Sequence, residues 1–204
     1  DHDSIREYIC NFIMSKLETN QVDPATGTTL TLGTSGDTIT IPSGVTIANS
    51  GTATGFGGDN TPSFGAYLNA NTSISSGSLT KLTINGEYWD TDNAFDSSSN
   101  YRFTVPSGEA GKYFFYAIMR MDSGSSFESG IWFQKNGSRI AKKRVKTGTS
   151  ATNVDLSHII DLSAGDYIEI YVYQDQGGSV SVNGDTNGTD EDTAKFFGYK
   201  LIGV

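Results

Sequence analysis

Residues 113–119 read Tyr-Phe-Phe-Tyr-Ala-Ile-Met, a run of apolar and aromatic side chains without a charge. Because successive side chains of a strand point to opposite faces, a strand with this sequence is apolar on both faces. Residues 167–173, Tyr-Ile-Glu-Ile-Tyr-Val-Tyr, instead alternate an aliphatic face with an aromatic and polar one. A two-layer sandwich covers one face of each sheet. We therefore predict that another subunit covers the second face of strand 113–119.

Strand signals separated by Gly, Asn and Asp follow one another through residues 61–204. The dipeptide Asn136-Gly137 lies between two of them and is typical of a type I′ hairpin turn. Many short strands at regular spacing predict an all-β fold, an antiparallel sandwich or jelly roll. The nine predicted strands are 64–68, 79–84, 101–105, 113–121, 130–135, 138–145, 154–160, 167–173 and 195–202.

The composition divides the chain of 204 residues into three parts. Charged residues make up 18% of the chain, which argues against a helical bundle or a coiled coil. Three of the 23 aromatic residues precede residue 61, so a core able to fold alone belongs to residues 61–204, the predicted jelly-roll head. Residues 1–60 have little to bury within one chain and need a partner.

An amphipathic helix is predicted for residues 1–20. Ser4 can begin it as an N-cap, with Glu7 three residues later as in a capping box, and Asn20 ends the pattern. A helix this short is marginal alone in water, so we expect it to trimerise the chain or to attach it to a larger assembly. Its apolar stripe consists of Ile5, Tyr8, Ile9, Phe12, Ile13 and Leu17.

Residues 21–60 contain short strand-like units in which Thr alternates with aliphatic residues such as Ile39 and Ile41, and each unit ends in Ser-Gly. A face two side chains wide cannot form a core in one chain, so we predict that several copies wrap around one axis. The segment resembles the β-structured shafts of tailed-bacteriophage fibres and spikes. An extended linker without fixed structure is the alternative.

The head carries a second resemblance. Its Phe-x-Val-Pro of residues 103–106, Gly-x-Tyr-x-Phe of 111–115, Lys-Asn-Gly of 135–137, Leu-x-x-Gly-Asp of 162–166 and closing Phe-x-Gly-x-Lys-Leu of 196–201 occur in the order found in the globular head of complement subcomponent one-q. That family belongs with the tumour-necrosis-factor-like jelly rolls. The resemblance covers about 140 residues, with the order and spacing of the motifs carrying it.

This resemblance implies a compact homotrimer with aromatic residues around a three-fold axis, and a binding module in place of an enzyme. Animal members carry a collagen stalk of Gly-x-y repeats. This chain has a β-repeat shaft instead, which favours a viral fibre. The predicted trimer-interface residues are Tyr113, Phe115, Tyr171 and Tyr173 of the head and Ile39 and Ile41 of the shaft.

Two loops of the head are the candidate ligand-binding segments, because loops on a rigid scaffold commonly carry function. Tyr and Trp can stack on sugar rings, while Asp and Asn can bond to hydroxyl groups. The candidates are Tyr88, Trp89 and Asp90 in residues 86–100, and Asp185, Asn187 and Asp190 in residues 175–192. The second loop also resembles a calcium loop in composition, with Asp185, Asn187, Asp190 and Asp192 as candidate ligands; otherwise we expect no cofactor.

Other classes of function find little support in the sequence. The net charge of −9 disfavours nucleic-acid binding. Six basic residues nevertheless cluster in 135–146, where they either prevent an edge strand from pairing with another sheet or bind an anionic polysaccharide. No apolar run reaches the ~18 residues that cross a bilayer, so we expect no membrane insertion. The single cysteine, Cys10, leaves no disulfide framework. No hydrolase, P-loop or zinc-protease motif is present, so we predict no enzymatic activity.

The sequence predicts a homotrimeric structural protein of a bacteriophage virion. In this interpretation the N-terminal helix binds other virion proteins, and the head contacts a glycan or protein of the host surface. Two alternatives stay open. The chain is either a capsid-decorating or structural tail protein without a receptor role, or a secreted, extracellular lectin-like module.

Overall fold

The computed structural model describes residues 22, 24–48, 50, 60–122 and 125–202. The chain divides into two compact units, Asp1–Thr52 and Ala53–Val204. The predicted helix of residues 1–20 lies outside the described residues and stays a prediction.

Glycine turns punctuate residues 24–48. The amide of Asp37 donates to the carbonyl oxygen of Thr34 at 3.0 Å. Gly36, the third residue of this turn, has a φ of 95°, a value that type II turns require and that suits glycine. Gly44 repeats the arrangement eight residues later with a φ of 83°. The Ser-Gly dipeptides at residues 35–36 and 43–44 therefore form turns.

The aliphatic side chains of the repeat lie between these turns and are exposed. Residues 24–48 form no strand within one chain. The β-repeat shaft stays a prediction, because strands that pair between chains do not form in a single copy. The side chains concerned are Leu30, Leu32, Ile39, Ile41, Val45 and Ile47.

The described part of the second unit consists of strands joined by turns. In chain order they are β1 (Ser63–Tyr67), β2 (Thr72–Ile74), β3 (Thr80–Lys81), β4 (Gly86–Asp90), β5 (Phe95–Asp96), β6 (Arg102–Thr104), β7 (Gly111–Asp122), β8 (Glu128–Lys135), β9 (Ser138–Lys146), β10 (Thr152–Leu162), β11 (Tyr167–Gln174), β12 (Val180–Val182) and β13 (Lys195–Lys200).

The strands form two antiparallel sheets. In the front sheet β7 is central, with β13, β1 and β4 following on one side and β10 paired along the other, while β12 and β2 extend the sheet beside the end of β7. The back sheet has the order β5-β6-β11-β8-β9, and β3 also pairs with β11. The predicted all-β antiparallel sandwich is confirmed for the head. At the β8–β9 hairpin, Asn136 and Gly137 both have positive φ, as a type I′ turn requires.

Phenylalanine rings from both sheets meet in the centre of the sandwich. The ring of Phe64 stacks on that of Phe103 with 5.2 Å between centroids and meets Phe196 edge-on at 4.8 Å. Phe115 and Phe133 complete this cluster, and all five side chains are buried. Such ring pairs contribute about 0.5–1.5 kcal/mol each beyond their burial.

The alternation along β7 corrects two of the predicted trimer-interface residues. Tyr113 and Phe115 are 0% exposed and lie in the core, so they cannot contact a neighbouring subunit. The residues between and after them, Phe114, Tyr116 and Ile118, point outward. The sequence pattern was right that both faces of the strand are apolar, but it assigned the two faces the wrong way round.

Gly198 of β13 should be intolerant of a side chain. A Cβ at this position would lie 2.6 Å from the ring of Phe115 and 2.7 Å from that of Phe64. We expect Gly198→Ala to lower the free energy of unfolding by about 1–3 kcal/mol, since overpacking displaces the core rings. Urea denaturation measures the change. Gly148→Ala is the control, because its nearest neighbour, the Ser150 nitrogen, is 4.0 Å away. Equal effects of both substitutions would contradict this view of the core.

Candidate binding site

The two predicted ligand-binding segments meet in the structure. The hydroxyl of Tyr88 donates to the carbonyl oxygen of Gly188 at 2.5 Å, and that of Tyr67 donates to Thr186 O at 3.3 Å. Gly188 is held so closely that a Cβ would lie 2.6 Å from the Tyr67 ring. Burial, with Tyr67 and Asp185 nearby, raises the pKa of Tyr88. Residues 185–190 are therefore seated on the aromatic rings of β1 and β4.

Aromatic rings from three strands form the platform beneath this loop. Tyr88 is 39% exposed and Trp89 is 47% exposed. The ring of Phe197 lies parallel to Tyr88 at 5.9 Å and within 5.8 Å of Trp89. Trp89 rests on the backbone of Gly65, where a Cβ would come within 2.4 Å of its ring. The exposed rings offer a flat surface suited to stacking.

The acidic candidates are mostly engaged with the backbone. Asp90 accepts hydrogen bonds from the amides of Ala94 and Phe95 at 3.0 and 2.9 Å, so it fixes the β4–β5 turn. Asp185 accepts from the amide of Thr189 at 2.9 Å, which lowers the pKa of the carboxyl group. The structure leaves Asn187 exposed at the turn.

The calcium candidate is not assembled. Asp190 accepts from the amide of Asp192 at 2.9 Å, while the carboxylate of Asp192 pairs with Arg120. The carboxylate of Asp185 accepts the hydrogen bond from the Thr189 amide. Among the described residues no group of three or more His, Cys, Asp or Glu side chains is placed to hold a metal ion. The composition of the loop resembled a calcium site because Asp also caps turns through backbone amides.

The outward side of the front sheet is a further surface, which the sequence predicted for strand 113–119 but assigned to the alternate residues. We call it the outer aromatic face. Ile159 lies on β10, an edge strand that pairs with β7, where it is 56% exposed and in register with Phe114. Phe114 contacts Tyr199 with 5.4 Å between ring centroids. The rings of Tyr67, Tyr88, Trp89 and Phe197 belong to the platform beneath the loop, and the outer aromatic face comprises Phe114, Tyr116, Ile118, Ile159 and Tyr199 of β7, β10 and β13.

The outward side of the back sheet differs in chemistry, and it contains the other two predicted interface residues, Tyr171 and Tyr173. We call it the basic aromatic face. Tyr171 and Tyr173 are half-buried beside Trp132 of β8, on the sheet opposite to Phe114. The face comprises Trp132, Tyr167, Tyr171 and Tyr173 with Arg102, Arg139, Lys142, Arg144 and Lys146.

Comparisons with known proteins address the fold. No family model matches the chain, and no curated protein matches it. Among solved structures, the chain is similar to the globular domain of zebrafish complement 1qA, at 15% identity and a TM-score of 0.49, covering 69% of this chain and 98% of that one. It is also similar to Eiger TNF from S. frugiperda, at 11% identity and a TM-score of 0.49, covering 68% and 91%. The described residues include no helix long and apolar enough to span a bilayer.

The hydroxyl of Tyr88 should hold the loop in place. We expect Tyr88→Phe to weaken the local structure of residues 185–190 by about 0.5–1.5 kcal/mol, the usual net contribution of one hydrogen bond. Hydrogen exchange of the Gly188 amide, which donates to Asp185 O at 3.1 Å, measures the effect. Tyr116→Phe makes the same change on β7 and should leave this amide unaffected. Unaltered exchange in the Tyr88 variant would mean that the contact does not order the loop.

Proposed function

We propose that this chain is the subunit of a homotrimeric fibre or spike of a bacteriophage virion, and that its head binds the host surface without catalysing a reaction. The single observation that carries self-association is the outer aromatic face, a broad outward sheet face composed of aromatic and aliphatic side chains. Contiguous apolar patches of this kind mark contact surfaces.

A second copy of the chain is the occupant that best suits this face. The rim carries charges of both signs in register across strands, as in the pair Lys112 and Asp161. At the other end of β7, Arg120 and Asp122 form a second opposite pair at 2.8 Å. A rim with mixed charges around an apolar centre can complement another copy of itself, whereas a rim of one sign would repel it.

The repeat segment supports the same assembly. Ile39 and Ile41 lie between two glycine turns and are exposed in one chain. Several chains side by side would bury these side chains at a common axis, and burying each contributes about 1.5–3 kcal/mol. The resemblance of residues 25–60 to phage shafts supports placing the chain in a virion, with the N-terminal helix binding other virion proteins.

Attachment is assigned to the loop and rings of the head. Tyr88 and Trp89 supply exposed ring surface beside Asn187 and Asp190, whose side chains can bond to hydroxyl groups of a glycan. Weak binding at one head is multiplied when three heads engage one surface, because the second and third contacts become intramolecular.

Introducing a charge at Ile159, an exposed apolar residue of the outer aromatic face, should dissociate the assembly. We expect the wild-type protein to sediment as a trimer at micromolar concentration and Ile159→Asp to sediment as a monomer. The substitution removes about 1.5–3 kcal/mol of apolar burial per interface and adds the cost of desolvating a carboxylate. Ser138→Asp changes the charge equally at the exposed β8–β9 hairpin and should remain trimeric. A wild-type monomer would overturn the proposal.

The virion role is tested by locating the chain. Antibodies against residues 60–202 should label phage particles purified from lysates of the strain that encodes the chain, and the trimeric protein should compete with these particles for adsorption to host cells. Ile159→Asp should compete more weakly, because a monomer lacks avidity. Labelled particles without competition would indicate a decorating or structural tail protein. Protein found in the culture medium and not on particles would indicate a secreted module.

A further inference from the structure

We infer that the basic aromatic face of the back sheet binds an acidic polysaccharide. The inference names a ligand class for the head, and it rests on the proposed binding function but not on trimerisation. It assigns a site distinct from the loop at Tyr88, on the opposite sheet of the sandwich.

The register of the back sheet aligns the basic residues in one row. Lys142 faces Trp132 across β8 and β9, and Arg144 faces Gly130. Arg139 faces Gln134 beyond a register shift. Because alternate residues of a strand are about 7 Å apart, the row from Arg139 to Lys146 extends over roughly 20 Å. A linear ligand with repeated negative charges matches such a row better than a single small anion.

Aromatic rings hold the arginine side chains of this face. The guanidinium carbon of Arg144 lies 4.6 Å from the centre of the Tyr173 ring and 5.5 Å from that of Trp132. Arg139 lies 5.8 Å from the Trp132 ring. At the far side of the sheet, Arg102 lies 3.9 Å above Tyr167. These cation–π contacts fix guanidinium groups before a ligand arrives, which lowers the entropic cost of binding.

Trp132 fits this surface because its neighbour on the same face is a glycine. A Cβ at Gly130 would lie 2.6 Å from the Trp132 ring. The ring can therefore lie against the strand beneath the arginines. Its Nε1 is buried and has no hydrogen-bond partner among the described residues. The register shift next to Arg139 accompanies a shallow cavity of about 220 Å³, lined by Arg139, Ile140, Ala141 and Lys142.

Several charges of the face lack a counter-ion among the described residues. Arg102, Arg139, Lys142 and Lys146 make no ion pair with any residue that the structure describes, whereas Arg144 pairs with Glu128 at 2.6 Å. This concentration of positive charge occurs in a chain with a net charge of −9. The acidic remainder of the surface would repel the phosphates of a long DNA duplex. A flexible polysaccharide can follow the basic row alone. Carboxylate or sulfate groups would pair with the arginines, and the half-buried rings of Tyr171 and Tyr173 would contact the sugars.

Substitution of Lys142 with Gln is compared with the same substitution of Lys143. The two residues are adjacent in sequence and lose the same charge, but they point to opposite sides of β9, and only Lys142 lies on the basic aromatic face. The probes are heparin as a sulfated chain and polygalacturonate as a carboxylated chain. Dextran, duplex DNA and polyglutamate serve as comparison ligands. Dissociation constants are measured by calorimetry for the full chain at one fixed salt concentration, with the oligomeric state of each variant checked by sedimentation.

We expect binding to at least one acidic polysaccharide, and a loss of roughly two- to fivefold in affinity for Lys142→Gln. The double variant Arg139→Gln with Lys142→Gln should lose more, while Lys143→Gln should stay near the wild type. The inference is overturned by no binding, by equal losses in the Lys142 and Lys143 variants, by equal binding of dextran, or by tighter binding of DNA or polyglutamate. A chain that is absent from virions yet binds as expected would overturn the proposed virion role and support this site. A virion protein that competes for adsorption but binds neither probe would support the proposed virion role and overturn this site.

Discussion

The position of β7 between β10 and β13 is the constraint on which the head depends. Paired on both edges, this strand has no exposed backbone and must place every side chain on one of two faces. Its inward residues, such as Phe115 and Met119, complete the core. The residues that alternate with them therefore point outward. These outward residues include Phe114, Tyr116 and Ile118, so the outer face of the strand is apolar.

Glycines allow the large rings of the head to lie flat on the sheets. Gly65 accommodates Trp89, Gly86 accommodates Tyr67, and Gly130 accommodates Trp132, each where a Cβ would come within 2.4–2.6 Å of the ring. A ring lying on glycine backbone covers hydrogen bonds that would otherwise be open to water. The other side of the Trp89 ring faces solvent, whereas that of Trp132 is covered by arginine side chains. The same device therefore stabilises both sheets, creates aromatic surface on the front sheet and supports the arginines on the back sheet.

The strands of the head were predictable from the sequence because alternation and turn residues are local, and the Asn136-Gly137 hairpin is an example. The direction of each strand face was harder to predict. Lys112 and Arg120 share the parity of Phe114, so these charged flanks identify the outward side of β7, which the apolar run alone does not reveal. The contact between Arg144 and Tyr173 depends on pairing across three strands, and no local pattern encodes it. The calcium prediction rested on composition, which does not distinguish an Asp that binds an ion from one that caps a turn, as Asp185 does.

The two outer faces differ in a way that separates two kinds of partner. Around the outer aromatic face, opposite charges such as Lys112 and Asp161 alternate, which suits contact with a surface of the same composition. Around the basic aromatic face the row on β9 is of one sign, so two copies of it would repel each other. In the proposed assembly, self-association through the front sheet would leave the back sheet facing outward, and a charged row repeated on every copy would increase the avidity for a long polyanion.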